Sequence, residues 1–286
     1  MFIAIGYLVT LGSIFGGFVL AGGHLAALFQ PLELLMIFGG AFGAAIAGNT
    51  GKTIKATLKA LPVLLKGPAY SKAVYVDVLA MLFEILAKVR KEGLMSIEAD
   101  VEEPEKSAIF SKYPKVMADH HVVEFLTDYL RMMVGGNLNV FEIEALMDAE
   151  LEAHHKEEHA PADALSKLGD GLPAFGIIAA VMGVVHTMES LHLPPEELGL
   201  LIAHALVGTF LGILLSYGFV APLSALHEQK MTESGKIYDC IKAVLLASMN
   251  GYAPPVAVEF GRKVLFSHDR PGFRELEEEI KNRKGK

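Results

Sequence analysis

The sequence predicts an all-α membrane protein with four transmembrane helices, a large helical cytoplasmic domain between spans two and three, and a helical C-terminal tail. Three observations lead there. Four long apolar runs, Phe2 to Gly23, Leu34 to Gly48, Leu172 to Met188 and Leu198 to Pro222, contain no Lys, Arg, Asp or Glu. All 25 Lys and Arg lie in residues 52–167 and 230–286. No alternating apolar and polar run flanked by hairpin turns supports a sheet.

At ~1.5 Å per residue, the runs Leu172 to Met188 and Leu198 to Pro222 cross or nearly cross a hydrocarbon layer of ~30 Å. The composition agrees with a chain that is part membrane and part aqueous, since 52% of residues are hydrophobic and 20% charged, with a mean hydropathy of +0.40. The net charge of -8 and the lack of a long charged tract argue against a nucleic-acid partner. A single cysteine, Cys240, excludes an intrachain disulfide and a cysteine-based zinc cluster.

The first run lacks the basic start of a secretory signal and is followed at once by another apolar run, so both are expected to stay as spans. The partition of Lys and Arg predicts that both termini and the region between spans two and three face the cytoplasm. The segments fall at 1–51 for the first two spans, 52–170 for the cytoplasmic domain, 171–222 for spans three and four, and 223–286 for the tail.

After the second span, Lys52, Lys55, Lys59 and Lys66 with interleaved leucines predict a basic segment resting on the lipid bilayer, bent by Pro62. Ser71 is placed to cap a helix whose apolar positions run from Val74 to Val89, and Gly93 to end it. A helix from about Met117 to Val134 stops at Gly135 and Gly136. Asn139 and Glu142 form a capping box for an acidic helix leading towards the third span.

Spans three and four form a hairpin between Pro173 and Pro222, with a turn from Glu189 to Glu197. Gly176, Ala180, Gly183 and Thr187 share one face of span three. Ala205, Gly208, Thr209, Gly212 and Ser216 share one face of span four. Such stripes let helix backbones approach closely in lipid. Beyond Pro222 a helix continues to about Ser248 and breaks at Asn250 to Pro255.

Candidate chemistry is sparse. Ile46 to Thr53 (I-A-G-N-T-G-K-T) resembles a phosphate-binding loop, but its first glycine is missing and a transmembrane helix precedes it instead of a strand. His155 and His159 have metal-compatible spacing, yet they lie on a solvated acidic helix, so no metal and no cofactor are expected. No nucleophile pairs with a base, so an enzyme is not expected. Ion-coupled machines keep a carboxylate within the membrane. None falls within these four runs, so it is expected from another chain. Thr209 is the hydroxyl best placed beside it, unless it bonds back to its own helix.

The residues carry a family resemblance. G-D-G-L-P-A-F-G-I at Gly169 to Ile177, A-A-V-M-G-V-V-H at Ala179 to His186, V-G-T-F-L-G-I at Val207 to Ile213 and N-G-Y-A-P-P at Asn250 to Pro255 resemble the motility protein A (MotA) family. So do L-K-A-L-P at Leu58 to Pro62 and F-E-I-E-A-L-M-D at Phe141 to Asp148. The family supplies the membrane ring subunit of the bacterial flagellar stator, in the inner membrane.

The resemblance implies a pentamer around B-type (MotB-like) subunits, whose intramembrane aspartate carries the proton. It implies roles for Pro173 and Pro222 in conformational coupling. Thr209, Ala180, Gly176 and Gly212 are implied to line the proton path. Arg90 and Glu98 are implied to contact a FliG-like rotor switch protein. The proton is favoured over sodium as coupling ion, and an ExbB- or TolQ-like energiser is the alternative.

Overall fold

A computed structural model of the chain describes residues 2–136 and 139–284. Met1 of the 1–51 segment, Asn137 and Leu138 of the cytoplasmic domain, and Gly285 and Lys286 of the tail lie outside the described residues.

The first three helices are α1 (Phe2–Leu20), α2 (Pro31–Ala47) and α3 (Gly51–Leu64). They are followed by α4 (Lys72–Glu92), the short α5 (Glu98–Glu102) and α6 (Pro114–Met117), and α7 (His120–Gly135). Then come the long α8 (Val140–Glu189), α9 (Pro195–Leu215), α10 (Ala221–Met249), α11 (Pro254–Val264) and α12 (Phe273–Lys284). No strand occurs among the described residues. Four helical stretches are long and apolar enough to cross a membrane, Phe2–Leu20, Leu25–Ala47, Val140–Glu189 and Pro195–Met249.

The third span does not start a helix of its own. Pro161 and Pro173 both lie inside α8, which runs unbroken for 50 residues. The turn after it is shorter than expected, because α8 continues to Glu189 and α9 begins at Pro195.

Contacts divide the chain into two compact units. One comprises Met1–Gly67 and Glu158–Lys230, the other Pro68–Glu157 and Met231–Lys286. In the first, α1 has no buried residue, and Phe2 and Leu20 are 83% and 90% exposed. An apolar helix with no fully buried residue suits a lipid surrounding, where all its backbone groups are bonded internally. The core of this unit is small and apolar, with Ile37 and Ala41 of α2 against Leu172, Ala179, Val207 and Leu211.

In α3 the start and end are both capped. Thr50 accepts a hydrogen bond from the Thr53 amide at 3.3 Å. Lys230 donates to the carbonyls of Val63 (3.1 Å), Leu64 (2.9 Å) and Lys66 (2.5 Å). An ammonium at a helix C-terminus satisfies carbonyls that have no helical partner and complements the helix dipole. Lys52 and Thr53, in the stretch resembling a phosphate loop, are therefore first-turn residues of a capped helix.

The second unit is built on α4, which buries Tyr75 through Phe83 together with Ile85 and Leu86. A helix buried on nearly all sides is the centre of a core. Around it lie Phe110, Tyr113, Leu126, Tyr129, Ile241 and Leu245, and the buried thiol of Cys240. Tyr113 donates to Glu84 at 2.8 Å and Tyr129 to Glu150 at 2.6 Å. Burial, reinforced by those carboxylates, pushes both phenols above their ordinary range.

Helix ends here follow the local chemistry. Asp119 accepts from the amides of His121 (3.1 Å) and Val122 (3.3 Å), and Gly136 ends α7 at φ 66°. The capping box is formed: the Asn139 amide donates to Glu142 at 2.9 Å and the Glu142 amide to Asn139 at 3.0 Å. Ser71 occupies the predicted cap position of α4, but its hydroxyl makes no capping bond. Gly93 closes α4 at φ 86°, a conformation suited to glycine.

Candidate functional site

The membrane unit is organised by the place where α8 and α9 meet, and glycine makes that meeting possible. A Cβ added to Gly212 would lie 2.7 Å from the Leu172 carbonyl oxygen and 3.3 Å from the Pro173 Cα. One on Gly176 would lie 2.9 Å from the Gly208 carbonyl oxygen, and one on Gly183 would lie 2.7 Å from the Ala205 Cβ. Three glycines therefore let two backbones touch, the close packing that small residues permit in lipid. Ala180 lies beside this seam, its amide nitrogen 3.4 Å from where a Cβ on Gly208 would stand.

Each proline sits at a weak point of its helix. Pro173, inside α8, cannot donate to the carbonyl four residues back, that of Gly169. Gly169 in turn packs on Val220 and Ala221, just before Pro222, with its Cβ position 3.4 Å from Val220 Cγ1. Before Pro222 the chain abandons the α pattern. Ser216–Val220 form a π turn, in which the Ala221 amide donates to the Ser216 carbonyl. The wider hydrogen-bond ring of this turn accommodates the following Pro222, a residue without an amide. The Phe219 carbonyl in this turn accepts a 2.8 Å hydrogen bond from the Tyr7 hydroxyl, and the two rings lie 4.9 Å apart.

The expectation that the spans contain no carboxylate is overturned. The second membrane helix begins at Pro31, not Leu34, so Glu33 lies in its first turn and is buried to 8% exposure. Proline is favoured at the first position of a helix and an acid in its first turn, a pairing that signals a helix start before Leu34. Its Oε2 atom has no hydrogen-bond partner and lies 3.1 Å from the Cβ position of Gly208.

Thr209, next to Gly208, is half-buried. Unlike Thr187, whose hydroxyl bonds back to the Gly183 carbonyl at 2.9 Å, Thr209 makes no such bond. The seam therefore brings together Pro173, Gly176, Ala180, Gly208 and Gly212, with Thr209 next to Gly208 in sequence.

Arg90 and Glu98 belong to the other unit. Both are exposed, and neither has an ion-pair partner among the described residues. Their neighbours in sequence do: Lys88 pairs with Asp100 at 2.7 Å, and Arg131 with Glu102 at 2.7 Å. No cluster of His, Cys, Asp or Glu suited to a metal occurs among the described residues.

The description "Motility protein A N-terminal" matches residues 4–93, and "MotA/TolQ/ExbB proton channel family" matches residues 118–239. Motility protein A of Salmonella typhimurium and that of Escherichia coli are each 54% identical over 281 residues, spanning 98% of this chain and 95% of theirs. The chain belongs to the motility protein A family. It is a membrane protein with the fold of the solved relatives. The flagellar MotAB stator complex from Bacillus subtilis aligns with a TM-score of 0.70 at 26% identity, covering 90% of this chain and 92% of that one.

Within this family framework the seam holds two features that residue patterns did not reveal. The π turn left no trace, because a shift of hydrogen-bond register does not alter the apolar spacing. Glu33 did leave one, the Pro31 that opens α2.

Proposed function

We propose that the chain is the ring subunit of a flagellar motor stator that couples proton flow across the bacterial inner membrane to torque on the rotor. It assembles as a pentamer around B-type subunits, whose intramembrane aspartate binds the proton. Both termini lie in the cytoplasm in this reading, which the distribution of Lys and Arg supports. The observation that carries this proposal is the glycine seam of α8 and α9, bounded by Pro173 and by the π turn before Pro222. The resemblance to a flagellar MotAB stator complex supports the B-type partner.

The physical sequence is short. Protonation removes the charge of the partner carboxylate and changes what it binds; the unbonded hydroxyl of Thr209 is available to it, with Gly176, Ala180 and Gly212 forming the wall. A seam of backbone contacts tolerates no intermediate filling, so a shifted contact favours a second packing instead of gradual deformation. Pro173 and the π turn are where α8 and α9 can bend, since each already lacks regular helical bonds. The exposed, unpaired charges of Arg90 and Glu98 deliver the motion to a FliG-like rotor protein. No covalent chemistry is asked of the chain.

The test is expression with a B-type partner in a bacterium lacking its own ring subunit. Copurification and proton-dependent swimming are expected. Reversal of Arg90 or Glu98 is expected to impair torque and to be rescued by an opposite reversal on the rotor protein, whereas neutralisation is mild because exposed ion pairs contribute ~1 kcal/mol or less. Absence of copurification would refute the assignment, and swimming that follows sodium would change the ion.

A further inference from the structure

The scheme above makes no use of Glu33. Its side chain is more than nine-tenths buried, and Oε2 is enclosed without a hydrogen-bond partner. A carboxylate in the first turn of a helix ordinarily bonds the free amides there. Glu33 Oε2 instead lies against α9, 3.1 Å from the Cβ position of Gly208. That position is also 3.2 Å from Ala179 Cβ, so the carboxyl reaches the level at which α8 and α9 cross.

The packing that holds it there is tight. Ile37 and Ala41 of α2 are buried, and the Phe175 ring lies directly over Gly40, 2.3 Å from where a Cβ would stand. None of the titratable groups on the neighbouring helices, His186 on α8 or Glu196, Glu197 and His204 on α9, bonds to the unpartnered Oε2 atom. An ionised carboxylate in this place would be an uncompensated charge among apolar groups, whereas the neutral acid is not.

We propose that Glu33 is a proton-binding site of the ring subunit itself, occupied while α2 packs on Gly208 and emptied when that packing opens. On opening, the carboxyl O–H bond breaks and its proton passes to water admitted at the seam, leaving the carboxylate; closure requires the reverse. The ligand is a proton, and its role in coupling rests on the proton-driven function proposed above.

The test uses the full chain with its B-type partner in lipid vesicles. Infrared spectra of the wild type and of Glu33→Gln are compared at equal protein. A neutral-carboxyl band present in the wild type and missing from Glu33→Gln is expected, and equal bands in the two would overturn the site. Proton flux and torque are expected to fall in Glu33→Gln at unchanged abundance, with partial recovery in Glu33→Asp. Undiminished flux in Glu33→Gln would overturn the site's part in coupling. Should Glu33→Gln not accumulate, Glu33→Asp decides: the band must shift, and an unshifted band refutes the proposal. A wild-type complex that shows the band but carries no protons would count against the proposed function and leave the site standing.

Discussion

The Tyr7 hydroxyl donates a 2.8 Å hydrogen bond to the backbone carbonyl of Phe219, joining the first span to the π turn that precedes Pro222. This bond satisfies a carbonyl in a turn where the regular α ladder is interrupted. It also ties a helix with no buried residue to the π turn of the same membrane unit. Tyr7→Phe keeps the ring contact and removes only the bond. The expected loss is about 1 kcal/mol, the usual net value of one hydrogen bond. Faster amide exchange confined to residues 216–221 is the measurement that checks it, and unchanged exchange would contradict the coupling.

The seam predicts a sharp dependence on side-chain size. Gly212→Ala places a methyl group 2.7 Å from the Leu172 carbonyl oxygen, so α8 and α9 must separate. Overpacking of this kind costs roughly 1–3 kcal/mol. Gly199→Ala, also in α9 but with nothing within 4 Å, is the control and should not destabilise, since alanine favours a helix over glycine by ~1 kcal/mol. Thermal unfolding in the same detergent compares the two directly.

Pro173→Ala and Pro222→Ala should leave the chain folded and inserted, since alanine favours a helix interior over proline by ~3 kcal/mol. What is lost is the ready bend, so stators are expected to assemble with the partner and generate little torque. Pro222→Ala should also slow amide exchange in the π turn, as a restored amide lets the α ladder close. Normal swimming by either variant would dispose of its hinge role; absence from the membrane would show a folding role instead.

Acid should loosen the C-terminal helix first. The Lys72 ammonium at 2.6 Å, together with the Gly272 amide at 2.9 Å, holds the Glu275 carboxyl below the usual carboxylate range. Its folded value is depressed, so its contribution is complete above the ordinary glutamate value of about 4.3 and is lost as pH falls through the lower folded value. Amide exchange in α12 should rise over that window and become insensitive to pH there in Glu275→Gln. An unchanged acid response in that variant would exclude the contact as its cause.

Much of the architecture was legible because it follows from residue type and spacing. Charge-free runs marked the four spans, Asn139 and Glu142 formed the reciprocal cap their spacing implied, and Gly93 took the positive φ of a helix stop. Other features depend on geometry that spacing does not encode. A proline such as Pro173 fits both the first turn of a helix and a strained interior, and only the continuous α8 separates the two. Whether a hydroxyl bonds back to its helix is a rotamer choice, which Thr187 and Thr209 make differently. Glu33 was excluded by starting a span after a charge, although a carboxyl can enter an apolar unit when it is neutral.

Cys240 is the chain's single thiol and is completely enclosed in the core beneath α4. The native protein is therefore already silent towards alkylating reagents, without the removal of any residue. A cysteine introduced at Arg90 or Glu98 can carry a fluorophore or spin label as the sole reactive position of the folded chain. Conversely, slow labelling of Cys240 in the unaltered protein serves as a clock for core opening, readable in intact membranes where calorimetry is not.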